Sequence, residues 1–291
     1  MARSSSSSGR RSNSKRSAPP NTPPQVAEKA RVIAIANFKG GVGKTTTAVN
    51  LAGAFILREK RVLLVDLDSQ CNASTALNIT ISTNNLGTRY LLQDDTYPAS
   101  DCTYSRGPFL DVIPADPDLV ELEQKLLVAP EGRLRLREKL EKEIRQYDYV
   151  LLDCPPSVGA LTQCALVAAT DVIIPVDVGF FSVDGLVRML SIIKQICKAY
   201  NPQLTLAGIL ATKFDGRTTL SEQTAQMILD QGLPLFATKV RISVDIIRAQ
   251  MARSPVSIFA PGSHGDADYQ ALAEELLPAK VIPLRQRKRA Q

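Results

Sequence analysis

Lys39-Gly40-Gly41-Val42-Gly43-Lys44-Thr45-Thr46 is the stretch whose reading decides the fold. It follows a short apolar run, residues 31–37 (RVIAIAN), and opens a stretch of helical spacing, residues 45–58. Strand, glycine turn and helix in that order make a phosphate cradle. The glycines let backbone N–H groups converge, and the helix N-terminus adds positive potential. Lys44 stands where it reaches β- and γ-phosphates, and Thr45 where its hydroxyl ligates Mg²⁺. The usual expression for such a loop asks for glycine five residues before Gly43, but Phe38 is there. The plain alternative is a glycine-rich turn with no ligand. A GKT triplet between strand and helix is far more specific than a lone glycine motif.

Outward from this loop the chain alternates apolar strands with helices. Residues 61–66 (RVLLVD), 109–114 (FLDVIP), 148–153 (DYVLLD), 171–176 and 204–211 (LTLAGILA) read as strands. Residues 132–146, 182–200, 219–232 and 266–277 read as helices. Continuous apolar strands between helices predict an α/β fold, a doubly wound, mostly parallel sheet with helices on both faces. Residues 78–107 are the least regular part, expected as loops plus a short helix. One domain is expected over residues 30–279, flanked by tails at 1–29 and 280–291.

Acidic residues gather where such a sheet binds ligands, at the carboxyl ends of its strands. Asp66-Leu67-Asp68 ends the second strand, and Asp153 ends the strand before Cys154-Pro155-Pro156. One such aspartate is commonly a helix cap. Three on the edge that carries the loop are placed to hold Mg²⁺ through water and to orient an attacking water.

Composition excludes several classes. The 291 residues are 44% hydrophobic, enough to bury a core, so the chain is not disordered throughout. No run of about 18 apolar residues occurs, so no transmembrane helix is expected. The five cysteines are scattered without a C-x-x-C pair, against a disulfide framework, a zinc site or an iron–sulfur cluster. His264 is the only histidine. The net charge of +6 is uneven: residues 1–27 and 280–291 each carry five basic residues and no acid, while 28–279 carries 25 basic against 29 acidic residues. The body is mildly acidic between two basic tails that suit polyanions. The Ser/Arg/Pro-rich first tail reads as disordered, with three roles open: a solvated tail, a nonspecific DNA-binding arm, or a transit peptide lacking an apolar face.

These residues resemble the ParA/MinD group of deviant Walker A ATPases, closest to its ParA/Soj partition branch. The segment KGGVGKTTTAVNLAGAF resembles the deviant Walker A motif, including the extra lysine, Lys39. RVLLVDLDSQCNAS resembles the DxDPQGNAT segment and YVLLDCPPSVGALTQCAL the Walker B segment; PVDVGFFSVDGL and ATKFDGRT also match. The resemblance spans about residues 31–278. It implies ATP and Mg²⁺ as cofactors and an ATP-dependent homodimer. Lys39 would reach the partner's nucleotide, with Gly40, Gly41, Val42, Gly43, Lys44, Thr45 and Thr46 cradling phosphate. Asp68 would position the hydrolytic water, and Thr45, Asp66 and Asp153 would serve the metal shell. Ser69 and Cys71 depart from the family's proline and glycine beside Asp68.

The partition branch implies nonspecific DNA binding by the ATP dimer and hydrolysis stimulated by a ParB-like or cargo-adaptor protein. The place implied is the cytoplasm, on the nucleoid. By position, Arg217 matches the family's first DNA-contacting arginine, and Arg241 and Arg248 are candidates for others; for each, the alternative is a solvated surface arginine. Two other readings stay open: positioning of a non-DNA cargo, and a MinD-like membrane ATPase. Against the membrane reading, the end VIPLRQRKRAQ has few apolar residues and an interrupting Pro283.

Overall fold

The structure, a computed structural model, describes residues 30–79, 86–93, 95–129, 131–178 and 183–277. The basic tails, and part of the PVDVGFFSVDGL segment, lie outside the described residues. In chain order the elements are β1 (Arg31–Ile35), α1 (Lys44–Ile56), β2 (Val62–Asp66), α2 (Asn72–Ala76), α3 (Thr88–Gln93), β3 (Tyr104–Ser105), β4 (Leu110–Ile113), α4 (Leu119–Val128), α5 (Arg135–Leu140), β5 (Tyr149–Asp153), α6 (Ala160–Ala168), β6 (Asp171–Asp177), α7 (Val183–Ala199), β7 (Thr205–Phe214), α8 (Thr219–Asp230), β8 (Leu235–Arg241), α9 (Val244–Met251), α10 (Val256–Phe259) and α11 (His264–Leu276). The strands form one sheet in the order β3-β4-β2-β5-β1-β6-β7-β8, parallel except for the two-residue β3. The doubly wound α/β expectation holds.

Alternation along each strand feeds two cores. In β1, Ile33 and Ile35 join Leu51, Phe55, Tyr269 and Leu272 of α1 and α11 on one face. Val32 and Ala34 join Leu122, Leu136, Cys164, Met189 and Ile228 of α4 to α8 on the other. Both faces of the central strands are therefore buried, which is why they read as continuous apolar runs rather than alternating ones. Phe55 stacks on Tyr149 with ring centroids 3.8 Å apart.

The register aligns the functional edge. β5 lies between β2 and β1, pairing Asp153 with Asp66 on one side and with Ile35 on the other. Two carboxylates and the start of the glycine loop thus share one end of three adjacent strands.

Some elements differ from expectation. The helix expected over 132–146 is the short α5 followed by a 3-10 turn, Ile144–Gln146. The chain tightens there, with Glu143 N–H donating to Leu140 C=O and Tyr147 N–H to Ile144 C=O, before Asp148 N–H reaches Arg61 C=O. The edge strands β3 and β8 lacked an apolar run to announce them. Residues 78–107 hold α3, a 3-10 turn (Ala99–Cys102) and β3.

Candidate functional site

The loop after β1 is held from below and from the side. Asn37, buried, donates from Nδ2 to Pro175 C=O at 2.8 Å and accepts from Lys39 N–H at 3.0 Å. The Thr212 hydroxyl bridges Val42 C=O at 2.9 Å and Val176 C=O at 3.0 Å. Gly41 and Gly43 have φ of +73° and +87°, the left-handed region where a side chain is strained. Gly43 is the N-cap of α1, and no side chain caps it, so the helix start is left to a ligand. Lys44 is buried and donates from Nζ to Lys39 C=O at 3.1 Å. Burial pushes its pKa down, against the attraction of Asp153 and Asp68. Such an ammonium is preorganised for anionic oxygens.

The three aspartates divide in their surroundings. Asp66 is fully buried: Oδ2 accepts from Ser74 N–H at 2.9 Å and Ser74 Oγ at 2.7 Å, and Oδ1 accepts from Asp68 N–H at 3.1 Å. Burial nevertheless lifts its pKa to about 6, with Ser74 and the Asp68 N–H pulling the other way. Asp68 turns the chain, its Oδ1 accepting from Gln70 N–H at 3.0 Å and its C=O from Cys71 N–H at 2.8 Å. Asp153 is fully buried, and neither of its oxygens accepts a well-formed hydrogen bond. Burial, then the charge of Asp66, drive its pKa well up; the nearby Thr45 hydroxyl and Lys44 draw it back. A buried carboxylate left without donors beside a phosphate loop fits a hydrated cation. Among the described residues no three His, Cys, Asp or Glu side chains form a metal cage. That suits Mg²⁺, which keeps its waters and leans on substrate phosphates.

A cavity of about 480 Å³ opens over the loop. Gly40, Gly41, Gly43, Lys44, Thr45, Thr46 and Asp68 line its polar end. Val240 of β8, Ile242 of the turn after it, and Ile246 and Ile247 of α9 line the rest, with Ser243, Gln250 and Tyr269. This second half is mostly apolar with a few polar groups, the kind of lining that suits a nucleobase. Sequence reasoning missed it, because β8 and α9 gave no motif; the apolar Ile246-Ile247 pair was the only available signal.

The Cys71 departure has a physical meaning. Cys71 has φ +55°, a left-handed conformation that glycine takes freely and cysteine does not. Its thiol donates to Ser69 C=O at 3.3 Å. The turn is therefore formed here without glycine or proline.

The three arginines proposed for DNA lie on separate elements. Arg217, in the turn between β7 and α8, has a fully solvated guanidinium that pairs with Asp215 at 2.8 Å. Arg248 on α9 is exposed and pairs loosely with Asp245 at 3.8 Å. Arg241 differs: it lines the nucleotide cavity, and Nε and Nη2 grip Asp268 of α11 at 2.6–3.1 Å. Two of the three guanidinium nitrogens are thereby engaged by the protein. Lys213 of β7, close to Arg217 in sequence, is paired with Asp177 at 3.0 Å.

Known proteins are similar to this chain in sequence and fold. A family model described as an AAA domain matches residues 30–206. The chain is 41% identical over 250 residues to the chromosome-partitioning ATPase Soj of Thermus thermophilus, covering 86% of this chain and 96% of that one. It is 36% identical over 253 residues to the chromosome partitioning protein ParA of Myxococcus xanthus, covering 86% and 89%. Among solved structures, cobyrinic acid a,c-diamide synthase from Mycobacterium smegmatis with bound ADP and magnesium superimposes with a TM-score of 0.75 at 31% identity, covering 85% and 94%. With its phosphate loop, its aligned aspartates and similarity to partition proteins over most of its length, the chain belongs to the ParA/Soj family of P-loop ATPases.

Proposed function

We propose that this chain is a Mg²⁺-dependent ATPase that closes into a homodimer around ATP and binds DNA nonspecifically in that state. Hydrolysis, stimulated by a ParB-like or cargo-adaptor partner, then releases the DNA. The cycle partitions or positions plasmid or chromosomal DNA on the nucleoid, in the cytoplasm. The observation that carries this reading is Asp153, buried and without a well-formed hydrogen bond beside Lys44 and Thr45.

The residues divide the work. Backbone N–H groups of Gly40 to Thr46 hold the phosphates, Lys44 neutralises β- and γ-oxygens, and Thr45 with Asp153 holds the hydrated metal. Mg²⁺, when bound, spreads the charge that develops on the phosphoryl group. Asp68, at the cavity wall, orients the attacking water. Asp66 has its oxygens engaged, so it serves the metal shell by fixing the Asp68 turn. Lys39 compensates the γ-phosphate across the dimer, which makes the dimer depend on ATP. Arg217 and Arg248 offer exposed charge to DNA phosphates, with Arg241 as the third candidate. Among the described residues no helix is long and apolar enough to cross a membrane.

Amide synthesis, the activity named for the M. smegmatis protein, is the second reading. Amide transfer through a cysteine calls for a reactive thiolate, and burial pushes Cys71 and Cys164 up to about 12 and Cys102 to about 11, with Cys154 also raised. Those four thiols are unsuited to it. The test is mutational. Lys44→Ala should abolish ATP binding, and Asp68→Ala should bind ATP and DNA yet fail to hydrolyse. Normal hydrolysis by Asp68→Ala would remove its water-positioning role.

A further inference from the structure

We infer that Phe38 and Gly185 form a positioning contact that sets the Lys39 peptide for nucleotide-dependent dimerisation. Phe38 stands where the usual phosphate loop carries glycine. Its ring lies against Gly185 in the first turns of α7. A Cβ placed on Gly185 falls 2.6 Å from Phe38 Cζ and 3.2 Å from Cε1. Carbon atoms do not pack that closely, so any side chain at 185 has to displace the ring.

Gly185 needs no left-handed backbone, since its φ is outside that region. A glycine inside a helix is less stable than alanine there, so the missing Cβ is explained by space for the ring. The glycine absent from the loop is matched by one in the helix the loop touches.

The helix is the firmer partner. Leu186, Met189, Ile193 and Ile196 of α7 are buried in the core below the sheet. The ring gives way first, and it is one residue from Lys39. The Lys39 peptide is otherwise fixed at two points, its N–H on Asn37 Oδ1 and its C=O on Lys44 Nζ. A shift of Phe38 is therefore delivered to the backbone that carries the Lys39 side chain. Phe38 and Gly185 act through Lys39, as positioning residues.

The inference rests on the reading of Lys39 as the lysine that meets the partner's nucleotide. Its test uses the full chain with Mg²⁺ and the non-hydrolysable analogue AMPPNP. Dimer formation is followed by light scattering, and nucleotide affinity by a fluorescent AMPPNP derivative. Gly185→Ala should weaken AMPPNP-driven dimerisation about tenfold, as Lys39→Ala should also do, with nucleotide affinity of the monomer within about threefold of the unmutated chain. Phe38→Leu in the Gly185→Ala background removes the clashing ring atoms and should restore most of the dimerisation. Phe38→Ala alone, which adds no bulk, should also loosen the dimer. Thermal unfolding of each variant separates a positioning effect from loss of fold. If the unmutated chain dimerises and Gly185→Ala does so equally well, the inference fails and the proposed cycle stands. Failure of Phe38→Leu to rescue a folded Gly185→Ala also overturns it. If the unmutated chain does not dimerise with AMPPNP, the proposed cycle fails and the inference falls with it.

Discussion

Ser74→Ala removes one hydroxyl, and the structure allows its cost to be worked out. Ser74 is fully buried. Its Oγ donates to Asp66 Oδ2 at 2.7 Å and accepts from Ala115 N–H at 3.1 Å. Alanine leaves Ala115 N–H buried without that acceptor, at about 1–3 kcal/mol, and deletes a charge-assisted bond worth about 1.5–3 kcal/mol. The Ser74 N–H bond to Asp66 survives. Allowing for relaxation, a loss of about 2–4 kcal/mol in unfolding free energy is expected. The same change reaches the chemistry. Asp66, already lifted to about 6, loses a bond that held its pKa down, and it is the acceptor for Asp68 N–H. A looser Asp68 turn should lower kcat about tenfold while KM for ATP changes little, because the phosphate loop is untouched. Urea unfolding and steady-state phosphate release at pH 7.5, roughly 1.5 units above that Asp66 value, measure the two effects. Ser74→Thr keeps the hydroxyl and should recover much of kcat. A folded Ser74→Ala variant with unchanged stability and unchanged kcat would refute the reasoning.

Other perturbations have separable outcomes. Cys71→Gly relieves the positive φ but adds unfolded-chain entropy, so stability should stay within about 1 kcal/mol; Cys71→Val should lose about 2 kcal/mol, read by the same urea titration. Arg217→Ala should weaken DNA binding in a gel-shift titration without altering ATP-driven dimerisation, and a dimerisation defect would make Arg217 structural. Burial tends to raise the Asp171 pKa, but hydrogen bonds from Arg31, Thr170 and Thr205 outweigh it and hold the carboxyl below its usual range. A depressed folded pKa contributes stability above the unfolded value of about 4, lost as pH falls through the folded one. Asp171→Asn should therefore flatten the acid limb of a stability–pH curve below about pH 4, and an unchanged acid limb would exclude that contribution.

Much of the fold was legible because parallel central strands must be apolar on both faces. The runs ending in Ile35, Asp66 and Asp153 could be nothing else once a GKT helix followed the first. β8 escaped because it pairs on one side only, and its half-buried polar Thr238 and Lys239 break any apolar run. α9 escaped because Ile246 faces the core while Ile247 and Met251 are exposed, so no clean stripe marks it. The phosphate half of the cavity was readable from residues contiguous in sequence. The half made by Val240, Ile242 and Ile246 was not, since its residues meet the loop only through the sheet order. The commitment of Arg241 to Asp268 was likewise invisible, because the two are 27 residues apart and joined only by α11 packing on β8. The left-handed turn at Cys71, by contrast, gives a reason for a difference the sequence displayed without explaining.

The measurement closest to the central claim is DNA binding by the full-length chain with ATP, with ADP and without nucleotide, across a salt series. Binding that appears with ATP and falls steeply with salt is expected, since a dimer contacting several phosphates releases counterions as it binds. Equal binding in all three states would contradict the nucleotide-gated cycle and transfer DNA attachment to the basic tails.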